Sequence, residues 1–147
     1  MLFRSEQETN LDVVVLLDAS ASMRFGSIEV KRGWGGTDAG RGTLQWTKFD
    51  CAAAIAVAIA HLCLEQRDRV GMVAYADEVR ATVRRSGAKG QWRSIVQALA
   101  TVKVDGAAQP ARAIDQVLAT LSTRSLLFVL SDFQHPLEPL QIGRAHV

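Results

Sequence analysis

Asp18, Ser20 and Ser22 occupy alternate positions of one short stretch, Asp18-Ala19-Ser20-Ala21-Ser22. A carboxylate and two hydroxyls alternating along a loop can converge on one point. An all-oxygen set of this kind suits a hard divalent cation, Mg2+ first, with Mn2+ or Ca2+ as alternatives. A second carboxylate, Asp132, follows the apolar run Leu126-Leu127-Phe128-Val129-Leu130 and Ser131. Asp and Ser after an apolar run are also ordinary turn and helix-capping residues. A metal site therefore requires a fold that brings Asp132 to the Asp18 loop.

The elements that would do this are readable from periodicity. Residues 12–18 hold Val13-Val14-Val15-Leu16-Leu17 and read as a strand buried on both faces, with Asp18 at its carboxyl end. Residues 19–27 form the metal loop. Lys48 to Gln66 reads as an Ala-rich helix, apolar nearly all round and so deeply packed. Residues 69–76 form a second buried strand. In residues 79–85, Val79, Ala81 and Val83 alternate with Arg80, Thr82 and Arg84, the pattern of a half-exposed antiparallel edge. Residues 91–102 and 110–121 read as amphipathic helices, the first with Trp92, Ile95, Val96 and Leu99 inward. Residues 125–131 form another fully buried strand, and 138–142 begin a further helix. This order predicts an α/β fold, a doubly wound, Rossmann-like, mostly parallel sheet flanked by helices, with its first strand central. The strands ending at Asp18 and Asp132 are then neighbours, and their carboxyl ends form the ligand crevice at the switch point.

Asp-x-Ser-x-Ser after a hydrophobic strand resembles the metal-ion-dependent adhesion site (MIDAS) of von Willebrand factor A domains. Further stretches follow in order: Met23-Arg24-Phe25-Gly26-Ser27, Lys48-Phe49-Asp50, Asp68-Arg69-Val70-Gly71-Met72-Val73 and Leu130-Ser131-Asp132-Phe133. Over residues 4–140 the set resembles a bacterial A-domain family of unknown function often encoded beside MoxR-type AAA ATPases. The resemblance implies that Ser20 and Ser22 coordinate the cation directly, and that Asp18 and Asp132 do so directly or through water. It implies a partner that offers an Asp or Glu carboxylate, in a MoxR-type AAA ATPase assembly of chaperone-like character. The family pattern also expects a Thr ligand before the third helix, and Ala108 stands there instead. On the same resemblance residues 1–11 are a lead-in segment and 12–147 the domain. The fold would continue with another strand, a helix and a last strand, so the domain is expected to be C-terminally incomplete.

The composition suits one ordinary globular domain: 147 residues, 48% hydrophobic, 22% charged, net charge +2. The charge is too small to point to nucleic acid. The basic residues Arg80, Arg84, Arg85, Lys89 and Arg93 read as solvated edge-strand charges. The best apolar run, 52–64, is shorter than the roughly 20 residues a membrane span needs, and residues 1–10 lack a signal-peptide core, so a cytoplasmic chain is expected. Cys51 and Cys63 lie roughly 18 Å apart along one helix, too far for a disulfide, and read as buried thiols. The stretch 28–47 holds a Gly-rich run, residues 33–43, with Trp34 and Trp46 beside it. It lacks the Gly-Lys-Ser/Thr of a phosphate loop and reads as an insertion at the rim of the metal site.

Two rival functions have their own residues. A Mg2+-dependent phosphatase would use Asp18 as nucleophile, but it wants a second Asp two positions on, where Ser20 stands. There is no Gly-x-Ser-x-Gly elbow, and His61, His135 and His146 suggest no triad. A structural subunit with a degenerate metal site would explain Ala108. The expectation is recognition by a metal-dependent interaction domain, not catalysis.

Overall fold

The computed structural model describes residues 11–29, 45–122 and 124–134. Residues 1–10 of the lead-in segment, the Gly-rich run, the expected helix 138–142, His135 and His146 lie outside the described residues. Strand β1 spans Asp12–Asp18, and a single 3-10 turn follows at Ala21–Arg24. The two-residue strands β2 (Ile28–Glu29) and β3 (Gln45–Trp46) pair antiparallel and form a narrow neck for the insertion between them. Then come α1 (Lys48–Glu65), β4 (Arg69–Tyr75), β5 (Val79–Ser86), α2 (Gln91–Thr101), α3 (Pro110–Leu118) and β6 (Ser125–Leu130).

The main sheet has the order β5-β4-β1-β6. β1 pairs in parallel with β4 on one side and β6 on the other, and only β4 and β5 are antiparallel. β1 is therefore central, as its unbroken apolar run requires: Val13, Val15 and Leu17 face one side, Val14 and Leu16 the other. The first set packs with Met72 and Ala74 of β4 under α1 and α2, which contribute Phe49, Ala53, Ala56, Ile95 and Leu99. The second packs with Val73 and Tyr75 under Ala113, Ile114 and Val117 of α3. Each of these large aliphatic side chains contributes about 1.5–3 kcal/mol by leaving water, so the strand that carries Asp18 is firmly held on both faces.

α1 begins with a complete capping box. Thr47 accepts a hydrogen bond on its hydroxyl from the Asp50 N–H (3.0 Å), and the Thr47 N–H donates to Asp50 Oδ2 (2.9 Å). The helix is not buried all round: the small residues Ala52, Ala53, Ala56 and Ala60 face the sheet, while Ile55 and Leu62 are 44% and 57% exposed. Alanines permit the close approach, and the bulkier aliphatics are left outward. Cys63 is buried on the same inner face, but Cys51 is exposed. In α2 only Ile95 and Leu99 of the four expected residues are buried. Trp92 and Val96 lie on the outer flank, with the Arg93 guanidinium 5.1 Å from the Trp92 ring centroid. β6 is not fully buried either: Leu126 and Phe128 are exposed, because β6 is the outermost strand of the described sheet. No helix among the described residues is long and apolar enough to cross a membrane.

Candidate metal centre

β1 delivers Asp18 to the carboxyl edge of the sheet, in register with Tyr75 at the end of β4. The Ala19 N–H donates to the Tyr75 carbonyl (2.7 Å) and the Ser20 N–H to Asp18 Oδ1 (2.8 Å), so the chain folds back over its own carboxylate. Asp18 and Ser20 are almost wholly buried and Ser22 half-buried. The two serine hydroxyl oxygens are 3.4 Å apart.

β6 brings the second carboxylate to the same place. Ser131 donates its hydroxyl to Asp18 Oδ2 at 2.6 Å and accepts the Phe133 N–H at 2.9 Å. Phe133 lies at φ 54°, in the left-handed region, which turns the chain sharply after Asp132. Asp132 accepts Lys48 Nζ on Oδ2 (3.0 Å) and the Gln134 N–H on Oδ1 (3.3 Å), and the Ser22 hydroxyl also donates to it. Asp18, Ser20, Ser22 and Asp132 thus form one continuous cluster of oxygens, with Ser131 bridging behind it.

Burial is the largest single influence on Asp132 and pushes its pKa up. The Lys48 ammonium, the Ser22 hydroxyl and the Gln134 N–H together outweigh burial and hold it below its usual 3.8. A carboxyl with a lower pKa folded than unfolded binds fewer protons in the folded state. Its contribution to stability is complete above the unfolded value and is lost as the pH falls through the folded one. Lys48→Met is expected to move the Asp132 titration upward, as read from its carboxyl carbon by NMR between pH 2 and 6. An unchanged midpoint would contradict the Lys48 contact. Tyr75 moves the other way. Burial raises its pKa first, and the nearby Asp18 and Asp132 charges raise it further. The Ser131 hydroxyl beside it pulls the other way, and the buried Tyr75 hydroxyl stays neutral next to two carboxylates.

The loop before α3 closes the third side. The Gly106 carbonyl accepts the Ala21 N–H (2.8 Å), and the Gln109 N–H reaches the Ala76 carbonyl (2.8 Å). Gly106 has φ 81°, which a residue with a Cβ rarely adopts. Arg80 pins this loop by bonding Asp105 (2.6 Å) and Asp77 (2.7 Å), and its hydrogen bonds hold both carboxyls below their ordinary pKa range. Ala108, half-buried in the same loop, offers no side-chain oxygen.

Arg80 and Arg85 are therefore not simply solvated edge charges: Arg85 bonds the Thr120 carbonyl and lies 3.8 Å from Asp12. Lys48 and Ser131 stood in the motif stretches without a role at the site, and Tyr75 belonged to a buried strand, yet all three sit at the site. A signal existed for Lys48, since a cation at the first helical position opposes the helix dipole and calls for a compensating partner.

The donor set fits a hard divalent cation. It consists only of carboxylate and hydroxyl oxygens. Asp18 is fully buried with no basic side chain against it among the described residues, and a buried carboxylate without a counter-charge is costly. No three His, Cys, Asp or Glu side chains among the described residues gather to hold a metal, so a cation here would rest on hydroxyls as much as on carboxylates.

The profile of the family described as "Protein of unknown function DUF58" matches residues 36–145, about three quarters of the chain, including Lys48 and Asp132 but starting after the Asp18 loop. No curated protein matches. Among solved structures, the conserved hypothetical protein BatB from Bacteroides thetaiotaomicron superposes with TM-score 0.54 at 14% identity, covering 80% of this chain and 52% of that one. The SpRpn10 VWA domain superposes with TM-score 0.52 at 17% identity, covering 90% and 66%. The chain spans about half the length of the first and about two thirds of the second. The fold is thus of the von Willebrand factor A type.

Proposed function

Since the chain belongs to the family described as protein of unknown function DUF58, we propose its function from the site itself: a protein-recognition domain that works through a divalent cation. The observation that carries this reading is the continuous oxygen cluster from Asp18 through Ser20 and Ser22 to Asp132, with Asp18 buried and unopposed by a basic side chain among the described residues. Ser20 and Ser22 would offer neutral oxygens, and Asp18 and Asp132 the negative charge. Bound Mg2+ would supply an electrophilic position able to take a carboxylate from a partner's Asp or Glu. Ala108 leaves one fewer protein oxygen in the sphere, which Mg2+ tolerates because it commonly keeps several waters. The proposed partner is a MoxR-type AAA ATPase in the cytoplasm, on the resemblance of the ordered motifs. The exposed Phe25 and Phe133 beside the site add apolar contact area for a partner chain.

The proposal excludes catalysis. Ser20 stands where a phosphatase would place its acid, and the Ser20 N–H and the Ser131 hydroxyl each occupy an oxygen of Asp18. Titration of Mn2+ and Mg2+ into the protein by calorimetry tests the reading, with saturable one-site binding expected. No saturable binding overturns it. Metal-dependent hydrolysis of an aryl phosphate that disappears in Asp18→Asn would replace recognition by catalysis.

A further inference from the structure

We propose that Lys48 holds the cation's share of Asp132 in the metal-free chain and passes to the partner's carboxylate when a divalent cation is bound. This rests on the recognition reading above.

Lys48 is the first residue of α1, where the positive end of the helix disfavours a cation. It is kept there by the Asp132 carboxylate at 3.0 Å and by the Phe25 ring, whose centroid lies 5.6 Å from Nζ. Its backbone N–H also bonds the Phe25 carbonyl (2.8 Å), which fixes the base of the side chain while the stem stays free to swing. The Lys48 side chain is 39% exposed and that of Asp132 only 9%, so the ammonium can leave towards solvent while the carboxylate stays.

The charges point the same way. Asp18 and Asp132 carry two negative charges and Lys48 one positive. A dication added to these three groups turns the cluster net positive, which favours an anion from outside. Lys48, released from Asp132, stays beside the site with a flexible reach to that anion. The same side chain therefore competes with the cation for Asp132 and cooperates with it in holding a carboxylate. These two roles predict effects of opposite sign for one substitution.

The experiment compares the full chain, Lys48→Met and Arg24→Gln. Arg24 lies in the adjoining 3-10 turn, and replacing it removes the same charge away from Asp132. Mn2+ affinity is measured by calorimetry, and acetate is the carboxylate probe, followed by paramagnetic broadening of its methyl proton line at saturating Mn2+. Thermal unfolding confirms that each variant is folded. Lys48→Met is expected to tighten Mn2+ about twofold to fivefold, the scale of a half-exposed ion pair, and to weaken acetate by a similar factor. Equal or weaker Mn2+ binding in Lys48→Met overturns the competition. Equal tightening in Arg24→Gln shows a general charge effect and overturns it too. Unchanged acetate broadening overturns the hand-over. Those three results leave the metal site standing, whereas no Mn2+ binding by any of the proteins removes the recognition reading itself.

Discussion

Replacing Ser20 and Ser22 together with alanine is expected to weaken Mn2+ binding at least about 100-fold, equivalent to roughly 2.7 kcal/mol, while the protein stays folded. The two hydroxyls lie together beside Asp18, and Ala108 offers no side-chain oxygen in their place. The structural cost is small because the loop is held by its backbone. It is the Ser20 N–H that bonds Asp18, and the Ala21 N–H that reaches Gly106, and both survive the substitution. Asp132 loses one hydrogen-bond donor but keeps Lys48 and the Gln134 N–H. The midpoint of thermal unfolding without metal should therefore change by no more than the equivalent of about 1 kcal/mol. Calorimetry and thermal unfolding on the same preparations check both halves. Undiminished Mn2+ binding would show that the carboxylates bind without the hydroxyls and would exclude an adhesion-type site.

Gly26→Ala should damage the site from a position that touches none of its oxygens. A Cβ there would overlap the Trp46 carbonyl oxygen and lie 2.8 Å from the carbonyl carbon and 3.0 Å from Thr47 Cα. All three are backbone atoms, so no side-chain rotation relieves the clash. The chain must move, and it moves where Thr47 caps α1 and where the Lys48 N–H bonds the Phe25 carbonyl. A loss of about 1–3 kcal/mol is expected from overpacking of this kind, measured by denaturant unfolding. Mn2+ affinity should fall as well, because the segment that carries Ser22 is displaced from the Asp132 carboxylate it faces. If both stability and affinity were unchanged, residues 25–27 would not be locked against Trp46.

The elements that build the site were legible in the sequence for a definite reason. β1 and β4 are covered on both faces, so each is a run of aliphatic residues that only a central strand explains. That centrality places the ends of β1 and β6 side by side and so makes Asp18 and Asp132 neighbours. The rest depended on information a linear pattern does not carry. Lys48 meets Asp132 across 84 positions and Ser131 meets Asp18 across 113, contacts set by register and rotamer rather than by local preference. Arg80 looked like an ordinary outward residue of an alternating strand, yet its two carboxylate partners lie in two different loops. β6 was read as fully buried because its run matches that of a central strand, and its place at the outside of the described sheet is a property of the whole fold.

The short neck formed by β2 and β3 has a consequence for the insertion it carries. Ile28 faces Trp46 and Glu29 faces Gln45, so the two chain ends that enter and leave the insertion are already clasped before it begins. Joining clasped ends with a longer segment is cheap: each doubling of length adds only about 0.6 kcal/mol of closure entropy. A change in the length of residues 30–44 is therefore expected to cost little at Gly26 and Thr47, which lie outside the clasp. The neck thus fixes where the chain leaves the domain after Glu29 and rejoins it at Gln45, whatever sequence lies between them.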